Sequence, residues 1–181
     1  MQTNWTWKDL FDERFRIGVW EKVSRFARSF IRISIMLGIF YHFFVFGFVP
    51  SDSMYPTLQT KDFVLYKRTN LIERGDIILF NYPLAEETLS VKRAIGLPGD
   101  TVEIKDGKIY VNEEVWDADY MLSPPMFTYE KVQVPEGHYF VLGDNINVSV
   151  DSVSYGFIDE KDIKGKAVAV LLPFQRFHIF H

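Results

Sequence analysis

The chain has 181 residues, contains no cysteine and carries a formal net charge of −4 at pH 7. This length is enough for one domain with a hydrophobic core and leaves little for a second full domain. Without cysteine, disulfide bonds, thiolate metal sites and a cysteine nucleophile are all excluded. Residues 50–181 hold 13 Lys and Arg against 20 Asp and Glu, and this acidic balance argues against nucleic acid as a partner.

Residues 1–28 mix charged side chains with apolar ones that recur at spacings of three and four. This spacing predicts an amphipathic helix, which suits the cytoplasmic surface of a membrane. A helix that docks on a partner protein has the same pattern, so both interpretations remain open.

The next segment, residues 29–49, is almost entirely apolar, and residues 33–49 contain no Lys, Arg, Asp or Glu. About 20 such residues span the hydrocarbon core of a bilayer as a helix. No small-residue cleavage site follows, and the preceding region is too long for a secretory signal peptide, so we predict a retained transmembrane anchor. Seven basic residues lie within 1–32, the last of them Arg32 near the start of the anchor, which predicts a single-pass cell-membrane protein with a cytoplasmic amino terminus and an external domain at 50–181.

Beyond residue 50 the apolar residues alternate with polar ones in short runs, as in β-strands. An Asp106-Gly107 pair between two of these runs is a strong hairpin signal. No stretch of this part has helical periodicity over more than two turns, so we predict one mainly β domain built on antiparallel sheet. The predicted strands are 62–66, 76–80, 89–95, 101–104, 108–111, 138–142 and 166–172.

Two serines lie at the start of this domain, between Pro50 and Pro56. The prolines restrict the backbone and discourage helix, so Ser51 and Ser53 point to the same side if the segment is extended. Two adjacent hydroxyls on a stiff segment suit a nucleophile and a hydrogen-bond donor. Serines in a simple turn are the alternative.

A serine nucleophile needs a base, and the external histidines lie in no polar or glycine-rich segment. A His-Glu-x-x-His metal motif is absent as well, so we predict neither a metal nor a cofactor. Lysine remains as the base, and Lys92 shares one face of strand 89–95 with Ser90. Burial would lower its pKa by up to about 3–5 units and leave the amine neutral. A solvated strand lysine is the alternative.

A third polar segment, residues 143–156, follows the apolar strand 138–142. A polar loop that leaves a rigid strand is a common way to hold side chains beside a site. Within it, Ser149 has the chemistry to aim the lysine amine and Asp151 to brace the loop. Ordinary loop residues are the alternative for both.

Together and in this order, the segments PSDSMYPTL at 50–58, KRAIGLPGD at 92–100 and GDN at 143–145 resemble bacterial type I signal peptidases. The segment RGDIILF at 74–80 is similar to a further strand of that family. These are membrane-bound Ser-Lys peptidases that remove signal peptides from exported proteins. The short stretch between residues 100 and 143 resembles the compact, Gram-positive-like members.

The resemblance implies that Ser53 is the nucleophile and Lys92 the general base, with no cofactor. The backbone N–H of Ser53 and the hydroxyl of Ser51 would form the oxyanion hole. It further implies three residues that orient Lys92 or support the third segment: Ser149, Asp144 and Asp151.

The family binds its substrate as an added strand, with shallow pockets for the small residues that end a signal peptide. The resemblance therefore implies signal peptides of secreted preproteins and the lipid bilayer as partners. The expected pocket residues are Val49, Pro50, Met54, Leu58, Ser90 and Val91.

Two positions depart from the family, because Ile146 and Val153 stand where it usually has arginine. Asp151 thereby loses its expected counter-charge. This departure keeps a second function open, a signal-peptidase-like assembly factor that binds a secreted partner without cleaving it, for example a pilus subunit. The intact Ser53 and Lys92 favour the enzyme. A self-cleaving repressor is disfavoured by the anchor and by the lack of a DNA-binding helix pair.

Overall fold

The computed structural model describes residues 13–85 and 87–180, with side chains of the first helix described from residue 20 onward. The chain divides into two units, with the boundary between His42 and Phe43. The first unit contains helix α1, Glu13–Phe43. Residues 1–12 of the predicted amphipathic segment lie outside the described residues. Within the described part of the chain, no helix combines the length and the hydropathy needed to cross a membrane.

The predicted end of the apolar helix at residue 49 is wrong. Helix α1 ends at Phe43, and Phe44–Phe48 forms strand β1. This strand pairs antiparallel with β2, Phe63–Lys67, so that Phe48 lies opposite Phe63. Aromatic and β-branched residues favour strands, but inside a continuous apolar run they leave no alternation to detect. The folded β unit therefore begins at Phe43 and not at residue 50.

The second unit is built on two antiparallel sheets, which confirms the predicted mainly β, antiparallel domain. Besides β1 and β2, its strands are β3 Ile77–Asn81, β4 Leu89–Gly96, β5 Thr101–Lys105, β6 Lys108–Val111, β7 Glu114–Val115, β8 Tyr129–Gln133, β9 His138–Leu142, β10 Ile158–Asp159, β11 Ile163–Leu172 and β12 His178–Ile179. The short helices are α2, Ser152–Tyr155, and the 3-10 turns Glu160–Asp162 and Phe174–Arg176. The larger sheet has the order β1-β2-β11-β3-β4-β9-β10, with β12 paired to β11, and the smaller has the order β7-β6-β5-β8.

All seven predicted strands form, and the Asp106-Gly107 hairpin joins β5 to β6. Both turn residues have positive φ, 52° and 71°, as a two-residue primed turn requires. The other strands escaped prediction for physical reasons. β7, β10 and β12 are two residues long, too short to show a period, and β8 (YEKVQ) carries two charged side chains.

The turn that follows β1 is anchored in the hydrophobic core from below. Met54 and Leu58 are 1% and 0% exposed and pack in one core cluster with Val64 and Tyr66 of β2. The amide of Leu58 also donates to the carbonyl of Met54, which closes the turn. Ser53 precedes the first of these anchors, so the core fixes its position.

Strand β4 lies in the middle of the larger sheet, between β3 and β9. Its pairing with β3 covers the whole of residues 89–93, and Lys92 lies opposite Ile78. Its pairing with β9 begins only at Arg93, opposite Leu142. Within the described residues, Leu89 to Lys92 therefore have no strand partner on the β9 side, and this open edge faces the turn that holds Ser53.

Candidate active site

The structure brings Ser53 and Lys92 together. Lys92 Nζ lies 2.8 Å from Ser53 Oγ and donates a second hydrogen bond to the carbonyl of Val91 at 3.0 Å. Lys92 is 5% exposed, although it lies near the open edge of β4. A hydroxyl within hydrogen-bond distance of a buried amine has the geometry of a nucleophile with its base.

Burial lowers the pKa of the Lys92 amine from its ordinary value to about 8. The carboxylates of Asp151 and Asp144 act in the opposite direction and favour the ammonium form. With a pKa of about 8, roughly a tenth of the amine is neutral at pH 7, whereas an exposed lysine is almost wholly charged. The cause of the lowered pKa is the low-dielectric surrounding, which penalises the charged form.

The hydroxyl of Ser51 lies on the same side as that of Ser53, as the spacing predicts. Its Oγ is 3.4 Å from Ser53 Oγ, longer than an ordinary hydroxyl hydrogen bond. Ser51 is exposed, so its hydroxyl is available to a group that approaches Ser53 from solvent.

Gly143 lets the third segment approach the back of Ser53. A Cβ at this position would lie 2.5 Å from the carbonyl oxygen of Ser53 and 2.6 Å from Cβ of Ser149, closer than atoms pack. Two residues later, the backbone N–H of Asn145 donates to the same Ser53 oxygen at 3.0 Å. The third segment thus holds Ser53 in place through its backbone.

Ser149 does not make the predicted hydrogen bond to Lys92. Its Oγ is buried and has no hydrogen-bond partner in the part of the chain that the structure describes. The hydroxyl does lie close enough to the Asp151 carboxylate to favour its charged form, but without the geometry of a hydrogen bond. Its role toward Lys92 stays a prediction.

Asp144 is 1% exposed and is paired with a cation that the sequence analysis missed. Arg93 forks onto it, with Nε 2.8 Å from Oδ1 and Nη2 2.6 Å from Oδ2, and Thr57 Oγ1 donates to Oδ2 at 2.5 Å. The Arg93 guanidinium also donates to the carbonyl of Gly75 and lies over the Tyr120 ring at 3.9 Å. This cluster ties the Ser53 turn, β4 and the third segment to one another.

Asp151 is 2% exposed and keeps no arginine partner. Burial raises its pKa, opposed by the N–H groups of Gly143 and Val153 that donate to it at 3.1 and 3.2 Å, and by the charge of Lys92. Among the described residues, no Lys, Arg or His side chain forms an ion pair with it. Ile146 and Val153 pack instead in an apolar cluster of the core. Apolar side chains that belong to the core thus occupy the two positions at which an arginine could have balanced the charge of Asp151.

A cavity of about 380 Å³ is lined by both Ser53 and Lys92. Five of the six predicted pocket residues line it, namely Val49, Pro50, Met54, Ser90 and Val91. The prediction for Leu58 is wrong, because this side chain is fully buried in the core beneath the turn. The sequence analysis also missed lining residues that only the fold brings together: Tyr82, Thr88, Leu89, Val148 and Val150.

One sequence signal pointed to the missed arginine. Arg93 lies directly after Lys92 in a strand that continues as buried Ala94 and Ile95. A permanently charged side chain in a buried strand needs a partner, and the buried Asp144 supplies it. No local signal identifies Thr57 or Tyr120, because their contacts with this pair are long-range.

Comparisons with known proteins agree with this geometry. The model of the family described as "Signal peptidase, peptidase S26" matches residues 23–172. The chain is 38% identical over 138 residues to "Probable signal peptidase I-2" of Synechocystis sp., which covers 71% of this chain and 63% of that protein. It is 34% identical to "Probable signal peptidase I-1" of the same organism, over 81% of each. It is 33% identical to "Signal peptidase I S" of Bacillus subtilis, over 85% of this chain and 91% of that protein.

Proposed function

Since the chain belongs to the signal peptidase family, peptidase S26, we propose that it is a serine endopeptidase that cleaves signal peptides from exported preproteins with a Ser53-Lys92 dyad. Its relatives are named for this activity. The observation that carries the proposal is the distance of 2.8 Å between Ser53 Oγ and the buried amine of Lys92.

In the first step, the neutral amine of Lys92 takes the hydroxyl proton of Ser53 while Oγ attacks the scissile carbonyl carbon. The oxyanion that forms accepts hydrogen bonds from the Ser53 N–H and the Ser51 hydroxyl, and each such donor contributes about 2.7–4 kcal/mol to transition-state stabilisation. The Lys92 ammonium then gives its proton to the leaving amine. The carbonyl carbon is then bonded to Ser53 Oγ as an ester. Water, deprotonated by the amine of Lys92, attacks this carbon, the ester C–O bond breaks, and the Lys92 ammonium returns its proton to Ser53 Oγ, which releases the signal peptide as a carboxylic acid.

The open edge of β4 supplies the binding site for the signal peptide. An extended peptide that pairs with residues 89–91 points every second side chain into the cavity. Two of its residues therefore enter the cavity, and the residue between them points away from it. The apolar floor of the cavity, formed by Val49, Met54 and Val91, suits alanine-sized side chains. This arrangement favours signal peptides that end in Ala-x-Ala.

The apolar side chains that the chain exposes support a position at the membrane, and the seven basic residues within 1–32 support a cytoplasmic amino terminus and a β unit on the outer face. In α1, Phe30, Met36 and Leu37 are each more than half exposed. In the β unit, Phe48 is 71% and Phe174 80% exposed. Large exposed apolar groups of this kind mark surfaces that contact lipid or protein.

The test is a processing assay with a preprotein that carries a signal peptide. Membranes of cells that express the parent should cleave it after a small residue, and Ser53→Ala should abolish the cleavage. Ser154→Ala, at an exposed serine outside the site, is the matched control and should process normally. Equal processing by the parent and Ser53→Ala would overturn the dyad, and activity in the soluble fraction would contradict the membrane position.

The assembly factor remains the second candidate because Asp151 lacks its arginine. If the protein is an assembly factor, the parent should bind the preprotein in the same assay and release it uncut. Cleavage by the parent, lost in Ser53→Ala, excludes this function.

The pH dependence of processing should follow Lys92. Because only the neutral amine acts as the base, kcat/KM should rise with pH up to about 8 and then level off. Asp151→Asn should move the inflection to lower pH, since it removes a charge that favours the ammonium. Steady-state rates between pH 5.5 and 9.5 measure both curves. A rate that falls from pH 6 to 8, or an inflection that Asp151→Asn moves upward, would contradict Lys92 as the base.

A further inference from the structure

A second cavity lies next to the one that holds the dyad. Its volume is also about 380 Å³, and its lining is polar, unlike the apolar floor of the first. The two cavities share one lining residue, Asp52, which directly precedes the nucleophile. We name the second one the Asp52 cavity, and it is lined by Asp52, Tyr55, Gln59, Thr60 and Asn145.

Asn145 fixes this cavity relative to the nucleophile. Its backbone N–H donates to the carbonyl of Ser53 at 3.0 Å, and its side-chain Nδ2 donates to the carbonyl of Asp52 at 3.2 Å. Two hydrogen bonds from one residue to consecutive carbonyls hold the cavity wall and the nucleophile in one geometry. A ligand in the cavity is therefore positioned with respect to Ser53 Oγ.

The carboxylate of Asp52 is held in place without being neutralised. Its Oδ1 accepts hydrogen bonds from the Thr60 hydroxyl at 2.6 Å and from the Thr60 backbone N–H at 3.3 Å. In the parts of the chain that the structure covers, 13–85 and 87–180, no Lys, Arg or His side chain forms an ion pair with Asp52. The residue is exposed, so its negative charge faces the cavity and solvent.

A peptide cleaved at Ser53 has two parts, and the proposed function places the signal-peptide part along the open edge of β4. The other part continues beyond Ser53, and the second cavity adjoins the first at Asp52, which lines both. We propose that the Asp52 cavity binds the first residues of the mature protein, and that it favours a cationic side chain there over an acidic one. This inference rests on the proposed function.

The size of the effect follows from the exposure of Asp52. Ion pairs at exposed sites contribute little, but lysine is attracted and glutamate repelled, so the two effects add in a comparison of substrates. We expect a preference of about three- to tenfold for lysine over glutamate. The interaction between exposed charges decays over a screening length of about 8 Å at physiological ionic strength, and this length shortens as salt is added. The preference for lysine should therefore shrink at high salt.

The experiment compares three preprotein substrates that are identical except for Lys, Ala or Glu at the second position after the cleaved bond. For the full chain in detergent, kcat/KM should fall in that order, and 0.5 M NaCl should narrow the range. Asp52→Asn keeps the shape of the side chain and removes its charge, so the difference between the Lys and Glu substrates should shrink to within twofold. Asp106→Asn, at an exposed hairpin aspartate outside the cavity, is the matched control and should keep the preference.

The outcomes separate the two proposals. If the parent cleaves all three substrates equally well, or if Asp52→Asn retains the full preference, the inference fails and the proposed function stands. If the preference of the parent does not respond to salt, its origin is not the Asp52 charge and the inference fails too. If the parent cleaves none of the substrates, the proposed function fails and the inference with it.

Discussion

Replacing Lys92 with methionine is expected to lower kcat for preprotein processing by about 10²–10⁴-fold. Methionine fills nearly the same space but accepts no proton from Ser53, whose Oγ then lacks the amine 2.8 Å away. Single-turnover cleavage of a preprotein by the full chain in detergent measures the loss. The inflection near pH 8 should disappear from the residual rate, because the group that titrates there is gone.

Two companion measurements test whether the fall in kcat comes from the missing base and not from a loss of folding. Lys92→Arg should not rescue the rate, because a guanidinium stays charged at any pH of the assay and is no base. The free energy of unfolding of Lys92→Met should change by no more than about 1–2 kcal/mol, since a neutral side chain of similar volume avoids the desolvation of a buried amine. A Lys92→Met variant that keeps more than a tenth of the parental kcat would contradict the dyad.

The largest expected effect on stability comes from Arg93. Replacing it with methionine leaves the carboxylate of Asp144, 1% exposed, with Thr57 as its one side-chain partner among the described residues. Breaking a buried ion pair by removing one partner typically costs about 3–5 kcal/mol, and we expect a loss of that size for Arg93→Met. Urea unfolding of the full chain in detergent, followed by tryptophan fluorescence, measures it. Trp116 is a local reporter, since it donates to the Tyr120 hydroxyl at 2.9 Å.

Two further variants separate the cost of an unpaired charge from the loss of packing. The double variant Arg93→Met, Asp144→Asn should regain part of the loss, because no buried charge then lacks a partner. Lys131 and Glu113 form an ion pair at the surface, where their side chains are 46% and 77% exposed. The control variant Lys131→Met removes this pair and should leave the unfolding midpoint unchanged. If Arg93→Met proves no more destabilising than Lys131→Met, the pair with Asp144 is not a stabilising element.

Local sequence patterns are sufficient to predict most of the sheet and to select Ser53 and Lys92 as candidates, and the fold brings these two side chains within 2.8 Å of each other. The strands with clear alternation, such as 101–104 and 108–111, form as predicted because their two faces meet different environments. For Ser53 and Lys92, residues nearby in sequence determine the local backbone and the direction of the side chain. Proline fixes the backbone around Ser53, and β4 determines the face on which Lys92 lies.

Long-range pairing could not be predicted in this way. Nothing close in sequence indicates that Arg93 meets Asp144, 51 residues later, or that Tyr120 packs on the guanidinium. Strand β1 was assigned to the apolar helix, because an unbroken apolar run contains no period that distinguishes helix from strand. The family resemblance implies a place for Leu58 in the pocket, and no feature of the local sequence reveals that the turn directs this side chain into the core.

The buried carboxylate of Asp151 shows how the chain compensates for a departure from its family. Two backbone N–H groups, from Gly143 and Val153, supply the hydrogen bonds to this carboxylate. The positions that usually carry arginine are apolar here and add to the core cluster around Phe140 and Leu142. The loop is thus held by packing and main-chain hydrogen bonds, and Lys92 is the cation whose charge acts most directly on Asp151.

The close contact at Gly143 limits how this site can change. Because even one methyl group at position 143 would collide with the carbonyl of Ser53, the contact between the third segment and the Ser53 turn leaves no room for a larger side chain there. Changes in substrate preference, by evolution or by redesign, must therefore arise at other positions. Tyr82, Thr88 and Val148 line the cavity beside Ser53 and are positions at which side-chain volume can change without this collision.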